Sequence, residues 1–450
     1  MRLLRLPLPV LAVFGLVFLT ELGQSMLFPL VPALAREFSL SSAQSGLLLS
    51  TATLATLAAA VPAGLLAERI GALRVSIGAG ALLAVSAVVQ ALATDFAFFL
   101  AGRLLFGLAF AAIWTAGVTL VSSPSATRSA VGATVMVAGV AHLVGPPLSG
   151  FLTDAIGRSI PFWLLAGGAA AITLAVAVAG TGTPERGRTA SPGLRAAALA
   201  VGRDPVLRSA TVLLAFLGTL AGVVPLVVPL LLDREGFSSG EIGAVFAAGS
   251  VIWILASGLA VRAGTRAVTI GVAGTGLVLL GAAALVPVLA LATPCLVAFV
   301  VLRAAIQAPL STISYDLGGR GARSAGVAIG AAMGMLNLVW AACAATAPLV
   351  TGALVDGLGA RWVFLLLAAA SAVAGLWMRR QRPRPHRPAI SRSGAGDARA
   401  ALATRASRGP RRGPTGRARG GSPSRRAVRQ SAWRSPATRS YPPTDPARRR

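Results

Sequence analysis

The chain has no lysine, two cysteines, two histidines and little charge of either sign. Each shortage excludes something. Cys295 and Cys343 both fall inside apolar runs, so no disulfide framework is available, and no CxxC or Cys/His cluster offers metal ligands. Both read as small packing residues. His386 lies in a polar segment, which leaves His142 as the one histidine within an apolar run. Charged residues make up 12% of the 450, against about 25% in an ordinary soluble domain. A string of soluble domains is therefore excluded. The apolar segments contain no nucleophile–base pair and no ligand set, so neither an enzyme, nor a cofactor, nor a metal is expected.

What remains is grease. Apolar residues reach 55% and the mean hydropathy is +0.76. Runs of roughly 20 apolar residues recur from end to end, the length that crosses about 30 Å of hydrocarbon at about 1.5 Å per residue. An all-α polytopic membrane protein follows. Charge and turn residues divide the runs into twelve spans, at about 8–32, 44–67, 75–94, 96–121, 129–153 and 160–181, then 206–231, 242–262, 267–290, 293–316, 324–351 and 361–378. The expected organisation is a six-helix bundle over 1–181, a polar connector over 182–205, a second bundle over 206–378 and a tail over 379–450. The first run is too long for a secretory signal and carries an acid, so it reads as an uncleaved span.

The tail holds 21 arginines against Asp397 and Asp445, and so supplies most of the formal net charge of +27. Its Arg, Pro, Gly, Ser and Ala show no periodicity, which predicts disorder and a non-specific extension rather than a dedicated nucleic-acid site. Arginine placement also orients the spans. With both ends of the chain inside, fourteen arginines fall in cytoplasmic loops and four (Arg36, Arg158, Arg234, Arg361) outside. The expected location is the cell membrane, multi-pass, as a monomer in the lipid bilayer with both termini cytoplasmic.

The two halves repeat each other at a shift of 194–202 residues. "REFSLSSAQSG" at 36–46 matches "REGFSSGEIG" at 234–243, and "GLLAERIG" at 64–71 answers "GLAVRAG" at 258–264. Arg103 corresponds to Arg303. "PLSGFLTDAIG" at 147–157 parallels "PLVTGALVDGLG" at 348–359. Internal repeats of this kind mark transporters.

Two six-helix halves joined by a polar loop resemble the major facilitator superfamily, over residues 8–378. The loop "GLLAERIGALR" is similar to that superfamily's G-x-x-x-D-R-x-G-x-R-R signature: Gly64, Arg69, Gly71 and Arg74 fit, Glu68 replaces the aspartate, and Leu73 replaces one basic residue. The resemblance implies a conformational gate built on Gly64, Glu68, Arg69, Gly71 and Arg74. Physical logic agrees, since a small residue lets helices approach and an acid–arginine cluster can form and break ion pairs. "LGQSMLFPLVP" at 22–32 resembles the first-helix pattern of twelve-helix drug–proton antiporters. "GVAHLVGPPLSG" at 139–150 is similar to the antiporter glycine–proline motif, with Ser149 where a glycine is usual, and Gly145, Pro146 and Gly150 are expected to join the gate as a bendable element between the halves.

Glu21 stands in the middle of the first span. A charge there costs at least about 2.5–3.5 kcal/mol, so it is expected to face a cavity or a partner. Counting about 1.5 Å per residue puts Glu21 and His142 both about 20 Å from the inner face, and Arg103 about 11 Å below the outer one. The three share a layer and form the expected proton-coupling group. The resemblance assigns the same role to Arg103, which with Gly107 fits the superfamily's R-x-x-x-G motif. Bland readings stand beside this: a static Glu21–Arg103 pair, and His142 as a packing residue. The second half has no mid-span carboxylate. Gln24, Trp114, Trp253, Arg303, Gln307, Asn337 and Trp340 are the expected cavity residues, with Tyr315 near them, and suit an amphiphilic solute better than a sugar. "GVAIGAAMG" at 326–334 predicts close packing of the eleventh span. Together these imply a secondary transporter exporting a small amphiphilic compound against protons. The alternatives are uptake or facilitated diffusion on the same fold, and a membrane sensor that moves nothing.

Overall fold

A computed structural model describes residues 8–121, 129–178, 194–263 and 269–381. All of the described helices belong to one compact unit. They are α1 (Leu8–Ser25), α2 (Val31–Glu37), α3 (Ser42–Ile70), α4 (Ala72–Ala91), α5 (Phe96–Val121), α6 (Ser129–Ala155), α7 (Ile160–Val178) and α8 (Leu194–Arg203). Then follow α9 (Pro205–Arg234), α10 (Ser239–Ala263), α11 (Ile270–Leu289), α12 (Thr293–Ser324), α13 (Ile329–Leu358) and α14 (Ala360–Arg380). Among the described residues twelve helical spans are long and apolar enough to cross a membrane, α1 and α2 counting as one. They form two six-helix halves, α1–α7 and α9–α14. The expected tail begins inside α14, and from residue 382 onward it lies outside the described residues.

The first span is interrupted because Pro29 and Pro32 each lack a backbone N–H and cannot continue an α-helical ladder. A short 3-10 helix, Phe28–Leu30, fills the gap. Leu30 N–H bonds to Leu27 O there, not to Met26 O. Ser149 supplies the missing donor, its hydroxyl meeting Met26 O at 2.8 Å. The residue that departs from the glycine–proline motif thus satisfies a carbonyl that the 3-10 turn leaves open.

Gly71 ends α3 and begins α4 at φ 94°, a conformation that favours glycine. The same demand recurs in the long repeat, where Gly157 and Gly359 have φ of 124° and 91°. The first span and α9, its counterpart, are the most enclosed. Each half has its own core, one around Leu16, Leu83 and Phe106, the other around Leu217, Phe299 and Phe364. Large apolar residues such as Val61, Leu174, Val178 and Leu289 stand outside, as a lipid-facing surface allows. The connector is not all loop: α8 lies within it, burying Ala197 and leaving Leu199 exposed. Asp204 caps α9 by accepting Leu207 N–H at 2.8 Å.

Successive spans run in opposite directions. The ends of α2, α6, α9 and α13 and the starts of α3 and α10 therefore share one end of the bundle, the far end, while α8 marks the connector end. Every hydrogen bond between the halves, among the described residues, lies between mid-span and the far end. Glycines trace the same gradient. A Cβ on Gly150 would collide with the Ser239 carbonyl of α10, and one on Gly46 with the Pro348 carbonyl of α13. Toward the connector end, Gly139 on α6, Gly258 on α10 and Gly330 on α13 face open space. The halves are clasped at the far end and part toward the other.

Candidate functional site

The first span, α5 and α6 meet at the level of the break. Glu21 lies on α1 with its side chain only 11% exposed, and His142 Nδ1 on α6 stands 3.5 Å from its Oε2. The same Nδ1 lies 3.1 Å from Ala138 O, one turn back. A proton on Nδ1 is thus shared between a carbonyl and a carboxylate, while the rest of the ring, 41% exposed, faces outward from the core. The Trp114 indole N–H lies within interaction range of the Glu21 carboxyl but makes no full hydrogen bond. Phe28 and His142 ring centres are 6.4 Å apart, and Phe28 in turn packs on Phe246 of the second half at 5.5 Å. The site reaches that half a second time, because Ser250 Oγ of α10 donates to His142 O at 3.2 Å.

Arg103 is elsewhere. It is completely buried on α5, donating from Nη2 to Gln24 Oε1 at 3.0 Å, with its guanidinium 4.7 Å over the Phe106 ring. Its Nε and Nη1 have no partner among the described residues. No Glu21–Arg103 ion pair forms. Glu21 and Gln24 are three residues apart on one helix and so point about 60° apart: one faces α6, the other α5. A shared level does not make a shared pair.

The second half answers with less. Arg303 Nη1 donates to Gln307 Oε1 at 2.7 Å, one turn along the same helix. Tyr315 donates to Asn337 Oδ1 at 2.9 Å, linking α12 to α13. Trp340 is partly exposed, and its carbonyl abuts Gly218 of α9. Trp253 on α10 is half-buried. Of the expected cavity residues, Gln24 and Gln307 are engaged by the neighbouring arginines Arg103 and Arg303, while the Trp114 indole nitrogen has no hydrogen-bond partner among the described residues. Asn337 and Trp340 are exposed, Asn337 with its Oδ1 taken by Tyr315.

The expected gate lies on the surface. Glu68, Arg69 and Arg74 are exposed at the connector end and make no ion pair among the described residues, while Gly64 packs on Thr115 within its own half. Gly145 seats α6 on Ser25 of α1, and Pro146 meets Gly243 of α10. The close packing expected of 326–334 is corrected: Gly326 lies in the turn before α13 at φ 68°, and Gly330 faces open space. That end of α13 lies where the halves part. Sequence reasoning did not single out Ser250, Asp154 or Asp356, although both aspartates stood in the quoted repeat.

A sequence profile of the Major Facilitator Superfamily matches residues 13–344. The MFS-type transporter ppzB of Metarhizium rileyi is 32% identical over 121 residues, a quarter of each chain, so this chain spans only a quarter of that relative's length. Among solved structures, a bacterial homologue of the human lysosomal transporter Spinster, inward-facing and unoccupied, superposes with a TM-score of 0.68 at 16% identity, covering 84% of this chain and 98% of its own. The nucleoside transporter NupG gives 0.65 at 14%, over 82% and 98%. The human organic anion transporter MFSD10 gives 0.59 at 19%, over 82% and 99%. These likenesses concern the fold. With the profile spanning both halves, the chain belongs to the Major Facilitator Superfamily.

Proposed function

We propose that the chain exports a small amphiphilic compound in exchange for protons, its two halves rocking about a central site. The observation that carries this reading is the Glu21–His142 pair at 3.5 Å, a buried acid beside a more accessible base. Ionisable groups at mid-membrane depth are expensive and tend to mark proton or substrate paths. His142 offers the entry point for a proton and Glu21 the store. The pair also sits on the moving interface, since the His142 carbonyl receives Ser250 from the other half. A change of charge at Glu21 therefore acts on a helix whose neighbour must shift for the site to change sides.

In this reading the connector end is cytoplasmic, as the arginine distribution favours, and the conformation described opens inward. Glu68, Arg69 and Arg74, exposed at that end and in no ion pair among the described residues, would serve as the gate. Arg103 positions α1 against α5 through Gln24, and the solute is held on the apolar, weakly polar surface around Asn337 and Trp340. Flux in everted vesicles tests the reading, using a panel of lipophilic compounds with and without an imposed pH gradient. Accumulation that rises with an acid-inside gradient supports antiport. Accumulation indifferent to the gradient for every compound overturns it in favour of facilitated diffusion.

A further inference from the structure

The repeat segments around Asp154 and Asp356 lie far from the Glu21 site, yet they do the same thing twice. α3 and α10 both start at the far end with a reciprocal cap. Ser41 N–H donates to Gln44 Oε1 at 2.9 Å, and Gln44 N–H donates to Ser41 Oγ at 3.2 Å. In α10, Ser238 N–H donates to Glu241 Oε2 at 2.8 Å, and Glu241 N–H donates to Ser238 Oγ at 3.3 Å. The first turn of a helix has N–H groups with no acceptor inside the helix, and such a box satisfies the cap and the third residue only. The first and second N–H groups are left over.

In both helices those two groups go to an aspartate of the opposite half. Ser42 and Ala43 donate to Asp356 at 2.9 and 2.8 Å. Ser239 and Gly240 donate to Asp154 at 3.2 and 2.7 Å. Each carboxylate completes a helix start that its own chain leaves two donors short, and a negative charge suits the positive end of a helix. Glycine permits the approach: a Cβ on Gly352 would strike the Ser42 carbonyl, and one on Gly150 the Ser239 carbonyl.

We propose that Asp154 and Asp356 are a matched pair of latches that hold the far end shut, and that both must release when it opens. The inference rests on the rocking motion of the proposed cycle. The boxes are internal to one helix start and persist in either conformation. The aspartate bonds cross the interface and exist only when the far end is closed. They therefore bias the equilibrium between states, where an ordinary cap would only stabilise the fold. Two contacts on one rigid-body interface act on a single equilibrium, so their effects multiply.

The test reads that equilibrium directly. Spin labels go on cysteines at Thr94 and Glu235, exposed far-end positions of the two halves, with Cys295 and Cys343 replaced by alanine. Distance distributions in lipid nanodiscs then give the ratio of open to closed far ends. Asp154→Asn and Asp356→Asn should each raise that ratio roughly tenfold and the double variant roughly a hundredfold, the scale of losing charge-assisted bonds. Ser238→Ala, which breaks a box without crossing the interface, should lower the melting temperature and leave the ratio unchanged. An aspartate variant that melts lower but keeps the parent's ratio overturns the latch, as does a double variant no more open than either single one. Variants that show these shifts, beside a parent that moves no solute in vesicles, support the latch and overturn the transport reading instead.

Discussion

The N-terminal half places Glu21, His142 and Arg103 at one level, while its repeat keeps there only Arg303, held by a glutamine of its own helix. Between Arg208 and Asp233, α9 has no ionisable residue, so nothing in it answers Glu21. At the far end the halves are instead alike, down to the capping box, the aspartate and the glycine beneath it. The contrast separates two demands. The rocking proposed above needs an interface that both halves build in the same way, and the far-end contacts are built so. Charge chemistry needs one site, and a second buried acid would add desolvation cost without a second task.

The largest expected effect comes from Arg103. It is buried with one hydrogen bond and two unpartnered groups, so Arg103→Met removes a costly charge along with a contact to α1. Flux should fall about 10- to 100-fold, the scale of a lost charge-assisted bond, while melting temperature holds or rises. Thermal shift and vesicle flux on one preparation check both. A variant that melts earlier and transports normally would reverse the assignment. Next in size is a pair of glycines on α6. Gly150→Ala drives a Cβ into Ser239 and should hinder far-end closure, slowing flux several-fold. Gly139→Ala meets nothing in this conformation and should leave far-end closure unhindered, with a helix stabilised by about 0.5–1 kcal/mol. Equal flux in the two variants would mean that the far-end contact does not limit the cycle.

Arg303→Met sharpens the comparison between halves. Its arginine is bonded within its own helix, so the expected change is a few-fold loss of solute affinity with the pH-gradient dependence intact. Equilibrium binding beside gradient-driven flux separates these, and a loss of gradient dependence would give the second half a part in coupling. Smallest of all is deletion of 383–450, for which insertion and flux are expected to match the full chain, since all twelve spans end by Arg380.

The span pattern was legible because it rests on hydropathy and spacing, which are properties of the chain alone. Proximity was legible in part: Glu21 meets His142, and Arg103 meets Gln24, one turn on from Glu21 in the same helix. Azimuth was not. Which of Glu21 and Gln24 faces α5 depends on how α1 is rotated against two neighbours, and that is set by packing such as Gly145 on Ser25. The stripe at 326–334 misled for a related reason. Spaced glycines permit close approach, but only a conformation in which the halves meet there would use it. Asp154 and Asp356 stood in quoted repeats, and the Ser-x-x-Gln and Ser-x-x-Glu starts were visible. Their meaning lay in the other half of the molecule.

The central claim is that Glu21 carries the proton, and Glu21→Gln tests it most directly because shape and hydrogen-bonding capacity survive while titration does not. Solute binding and proton-driven flux are measured on the same reconstituted variant, across pH. The account predicts that binding persists and loses much of its pH dependence, while gradient-driven export fails. A Glu21→Gln protein that still exports solute in proportion to the pH gradient would contradict it.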